Sequence, residues 1–78
     1  MTIYIEARFT GASDLGYQHG HAYQLRLDQH WGGGITIIAT HGYDFKPVSG
    51  MQRTYKGLAA FLHDWKTIRV LMPQITSS

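Results

Sequence analysis

The sequence predicts a mainly β domain with one amphipathic helix ahead of its last strand. Three observations predict it. Residues 3–9 alternate, with Ile3, Ile5, Ala7 and Phe9 on one side and Tyr4, Glu6 and Arg8 on the other, the period-two pattern of a half-buried strand. Glycine-punctuated connections then separate further short runs of strand type. Only residues 54–65 carry helical spacing: Leu58, Phe61, Leu62 and Trp65 fall at i, i+3, i+4 and i+7, which sets four large apolar side chains on one helical stripe.

The elements follow in order. The strand at 3–9 leads into a long connection, residues 10–20, where Gly11, Gly16 and Gly20 loosen the backbone and Leu15 and Tyr17 are the large apolar anchors. A connection this long in a small domain folds back on itself and often carries function. Residues 21–27 form a second strand in which Tyr23, Leu25 and Leu27 alternate with Ala22, Gln24 and Arg26. Residues 28–34 are a turn that holds Trp31 and three successive glycines, with no evident core partner for the indole. The β-branched run 35–40 is a third strand, Ile35 and Ile37 inward and Ile38 outward. Gly42 supplies a positive φ for a tight turn over 40–43. A fourth strand, 43–48, is expected to point Tyr43 and Phe45 inward, with Pro47 at an edge or a strand end. Ser49-Gly50 turns the chain again before a fifth short piece at 51–55. The helix then starts at an N-cap on Thr54 or on Gly57. Lys56 beside that start stands where exposed N–H groups favour an anion. Residues 66–72 alternate once more, Ile68, Val70 and Met72 on one side, until Pro73 stops them and 73–78 trail as a flexible tail.

Bulk properties bound the function. Seventy-eight residues give a single domain, 1–78, with a thin margin of stability. The absence of cysteine argues for a reducing compartment such as the cytoplasm. No apolar run approaches the roughly 20 residues that span a bilayer, and the opening MTIYIEARF, which lacks a basic stretch followed by an apolar block, is not expected to act as a secretory leader. A net charge of +2 is compatible with an anionic ligand without demanding one.

The chemistry-bearing residues form no familiar catalytic pattern. His19 and His21 share one face of an extended segment, but no third or fourth ligand at metal-site spacing joins them. Ser13 and Ser49 lack a partner base. Glu6, Asp14, Asp28, Asp44 and Asp64 have no reason to converge as a carboxylate pair. Gly32-Gly33-Gly34 lacks the following helix, Lys and Ser/Thr of a phosphate loop. The chain is therefore expected not to be an enzyme and to need no cofactor. The richer set is Arg8, Tyr17, His19, His21, Tyr23, Arg26, Arg53 and Lys56. Gathered in one groove, its cations would hold phosphate, its tyrosines would stack or wall the site, and its histidines would hydrogen-bond. Tyr4, Trp31 and Ile38 are apolar groups on outer faces, the material of a partner surface or a homo-oligomer contact.

The order strand, long loop, three strands, helix, strand resembles a small SH3-like barrel of about five strands. A second resemblance, to small proteins encoded by phages and prophages, rests on Ala7-Arg8-Phe9, Gly11, Leu15-Gly16-Tyr17, His19-Gly20, Tyr23 and Leu25. The helix block Tyr55, Leu58, Ala60-Phe61-Leu62 and Trp65 completes it. Such proteins are often non-enzymatic, and many block a host defence system. The resemblance implies an inhibitor that sequesters a small anionic, nucleotide-like ligand such as a cyclic nucleotide, in the cytoplasm of the host cell. The alternatives are a module that masks a host defence enzyme by protein–protein contact and a barrel that binds single-stranded nucleic acid weakly.

Overall fold

The computed structural model describes residues 2–13 and 16–71. Asp14, the loop anchor expected at Leu15, the place expected for Met72 on one side of the last strand with Ile68 and Val70, and the tail expected over 73–78 lie outside the described residues. The element order is β1 (Thr2–Phe9), β2 (Ala22–Gln29), β3 (Ile35–His41), β4 (Lys46–Tyr55), α1 (Leu58–Asp64) and β5 (Trp65–Leu71). The five strands make one antiparallel sheet in the order β4-β3-β2-β1-β5. Each of β1 to β3 pairs with its successor, and the last strand returns to the free side of the first, as in an SH3-like barrel.

The expected alternation sets the core. Ile5, Ala7 and Phe9 of β1 face Leu25 and Leu27 of β2 and Ile35, Ile37 and Ala39 of β3, all buried. Six rings close this layer. Trp65 lies within 5.0 Å of Phe9, 5.3 Å of Tyr17, 6.1 Å of Tyr23 and 6.0 Å of Phe61, centroid to centroid. Tyr55 meets Phe61 edge-on. Offset and edge-to-face arrangements suit the ring quadrupoles.

Three expectations are corrected. The first concerns β4, which is one strand of 10 residues instead of two pieces. Its ladder to β3 runs from His41↔Lys46 to Ile35↔Tyr55 and shifts between Thr40↔Pro47 and Ile38↔Gln52, so residues 48–51 stand opposite Ala39 alone. The turn expected at Ser49-Gly50 is thus a wide bulge inside a strand, with Gly50 at φ 86°.

The second concerns Tyr43 and Phe45, which do not face the core. Gln24 Nε2 donates to Thr40 Oγ1 at 3.0 Å and to the Gly42 carbonyl at 3.2 Å. This ties the β3–β4 hairpin down over the outer face of the sheet. Tyr43 is then fully exposed, and the Phe45 ring rests 4.3 Å from that of Tyr4.

The third concerns the face of α1. Phe61 is buried and Gly57, Ala60 and Asp64 are half-buried, while Leu58 and Leu62 are 57% and 40% exposed. The helix is rotated by one residue from the expected stripe. Asp64 explains the rotation. Its carboxylate accepts from Tyr55 OH at 3.1 Å and pairs with Arg53 at 3.6 Å, and its carbonyl accepts from the Thr10 N–H at 2.7 Å. Trp65, expected as the last knob of the helix, is instead extended (φ −128°, ψ 130°) and opens β5.

Candidate functional site

The eight residues expected to share a groove do not: four gather in one place, and the other four do not join them in any common groove. Arg8, His19, His21 and Tyr23 gather at the base of the long loop. Arg8 Nη1 donates to the Gly20 carbonyl at 2.6 Å, and the Tyr23 hydroxyl accepts the Gln18 N–H at 2.8 Å. His19 Nδ1 lies 3.2 Å from the Gly11 carbonyl oxygen, and the His21 backbone bonds Phe9 and Gln18. These polar atoms fold the loop onto β1, and Tyr23 also packs edge-on against Tyr17.

Arg26 shares the outer face with Arg8, but four residues along the ladder, since Arg8 pairs with Ala22 and Arg26 with Tyr4. That separation is about 14 Å at the rise of an antiparallel strand. Its Nε is 3.2 Å from Asp28 Oδ2. Arg53 lies on the other face, under α1, beside Asp64 and within 5.3 Å of the Tyr55 ring and 6.0 Å of the Phe9 ring. Lys56 is exposed just ahead of the helix.

Tyr17 is no stacking wall. It is fully buried, and its hydroxyl donates to the Met51 carbonyl at 2.6 Å. Burial pushes its phenol up to about 12. Burial likewise raises Tyr55, whose hydroxyl accepts the Trp65 Nε1–H at 3.0 Å. These two phenols are structural pins.

Of the expected partner surface, Tyr4 and Ile38 are half-buried and flank Arg26 in one cross-strand row. Trp31 stands apart from them, fully exposed at the tip of the β2–β3 hairpin. That tip sits against the start of α1: a methyl group placed on Gly57 would lie 3.5 Å from the Gly33 carbonyl oxygen. The hairpin and the helix thus bring Trp31, Leu58 and Leu62 to one end of the molecule. The two leucines escaped the sequence reading because their spacing matched a core stripe as well as an outer one.

The opposite end of β3 carries a groove of about 610 Å³ on the outer face. Gln24 and Gly42 lie between its walls, with Tyr43 and Phe45 on the hairpin side and Arg69, Val70 and Leu71 on the β5 side. None of these belonged to the expected site. Arg69 reaches it through the register of β5, which sets it beside Glu6. No local signal in residues 66–72 announces that pairing.

Among the described residues, no group of three or more His, Asp or Glu side chains is placed to hold a metal ion. None of their helices is long and apolar enough to cross a membrane. Comparison with protein-family models, with curated proteins and with solved structures found no match.

Proposed function

We propose that this chain is a non-enzymatic binding protein that acts by covering a partner protein, with Trp31 as its anchor. The single observation that carries the reading is the full exposure of Trp31 on a hairpin tip whose Gly33 lies against the start of α1, the helix that exposes Leu58 and Leu62. Tryptophan is enriched among the few residues that dominate interface energies. A fully exposed indole on a hairpin tip is already shaped to enter a partner's pocket. Lys56 and His63, both exposed, border the leucines on the helix and favour a partner with an acidic rim. The resemblance to phage-encoded counter-defence proteins supplies a setting, in which the partner is a bacterial defence enzyme or DNA-binding protein held inactive by masking.

The test is capture from bacterial lysate with a tagged chain. The unmodified protein retains a specific partner, and Trp31→Ala loses it while the far-UV circular dichroism stays unchanged. Equal capture by both forms, or no specific partner for either, rejects the reading. Binding of a small anionic ligand stands beside it as a second proposal. The outer-face groove favours that proposal more than the eight residues first expected do.

A further inference from the structure

The groove beneath the β3–β4 hairpin joins three features that point to one ligand chemistry. The first is a pair of rings. Tyr43 is fully exposed, and Phe45, which lines the same groove, rests against the ring of Tyr4. The second is a cation, Arg69, whose side chain is 70% exposed and whose Nη2 is held by Glu6 Oε1 at 2.5 Å. A guanidinium carries five donors in a planar fork. One carboxylate contact therefore fixes its orientation and leaves donor capacity on the rest of the fork. The third is backbone strain. Phe45 holds φ 53°, a left-handed conformation that is a genuine outlier for a bulky residue and usually falls to glycine or asparagine. Strain of this kind clusters at ligand clamps. Here it aims an aromatic ring at a place where glycine would make an easier turn.

We propose that this groove binds a small planar aromatic anion of the nucleoside monophosphate class. The base stacks on the ring of Tyr43 with Phe45 beside it, and the phosphate takes the open side of the Arg69 fork. The volume of about 610 Å³ lies within the usual range for small-molecule clefts. The inference rests on the ligand-binding reading and gives it a location and a ligand class. It is independent of Trp31, which lies at the far end of β3.

The test uses AMP as probe, with adenosine and inorganic phosphate as controls, followed by amide NMR shifts. AMP is expected to move the resonances of residues 42–45 and 69–71 together. Tyr43→Ala, at a fully exposed position, weakens AMP and adenosine by about tenfold, the loss of one stacking platform, and leaves inorganic phosphate unaffected. Glu6→Gln removes the carboxylate that competes for Arg69, so AMP binds more tightly and adenosine does not. Trp31→Ala binds AMP as the unmodified chain does. Shifts by AMP at a different place reject this site and leave the ligand-binding reading standing. No shift at millimolar AMP, or equal affinity in Tyr43→Ala, rejects the proposal itself.

Discussion

At the scale of single residues, two positions have measurable consequences. Thr67 adopts φ 54°, where the β1–β5 register shifts between Glu6 and Arg8. A β-branched residue in left-handed backbone costs about 1–2 kcal/mol, and glycine gives back part of that gain as chain entropy. Thr67→Gly is therefore expected to stabilise the fold by about 0.5–1 kcal/mol, read as a higher urea midpoint. Tyr17 makes stability depend on alkaline pH. Its phenol is held up at about 12 against an ordinary 10.0. Below the ordinary value both folded and unfolded chains keep the proton, and the contribution is complete. Between the two values only the unfolded chain releases it, so this group removes about 1.4 kcal/mol of stability per pH unit. Tyr55, raised in the same direction, acts with the same sign. Urea unfolding from about pH 9 to about pH 12 should show the decline, with a shallower slope in Tyr17→Phe.

At the scale of the element, α1 shows how far periodicity reaches. The spacing of Leu58, Phe61, Leu62 and Trp65 rightly marks a helix, and the N-cap is Gly57, one of the two positions the sequence allows. It does not say which way the helix faces. Within α1 itself, Phe61 is the buried residue, so Phe61→Ala should cost about 3–5 kcal/mol. Leu58→Ala and Leu62→Ala should each stay within about 0.5 kcal/mol. Denaturant unfolding of the three variants decides the orientation, since a stripe packed as the spacing implies would make Leu62→Ala costly too. The hairpin over 42–45 teaches the same lesson. Tyr43 and Phe45 fit the alternation of a strand, yet the Gln24 amide ties their turn across the outer face.

At the scale of the whole molecule, the ends of β1 and α1 are clasped together. Thr10 donates both its N–H and its hydroxyl to the Asp64 carbonyl, and Gly11 passes directly over the Asp64 side chain. A methyl group at Gly11 would come within 2.9 Å of the Asp64 carboxyl and 3.0 Å of the Phe9 ring. Tyr55 and Arg53 hold that carboxylate and leave it little room to yield. Gly11→Ala is accordingly expected to destabilise the domain by about 1–3 kcal/mol, seen as a lower melting temperature. The same clasp removes Arg53 from the expected anion site, because its guanidinium serves Asp64 and the rings beside it.

Alternation and helical spacing alone were enough to place β1, β2, β3 and β5, the inner faces of β1, β2 and β3, and the helix, but not the single long strand β4. These depend on the alternation or the helical period of neighbouring side chains, which the backbone enforces locally. Only the tertiary structure decided which face α1 buries, where Tyr43 and Phe45 point, and which cations stand beside one another. Each of those depends on a contact between residues distant along the chain: Gln24 with Gly42, Thr10 with Asp64, Glu6 with Arg69. A period records whether a side chain has an apolar side to cover. It does not record what arrives to cover it.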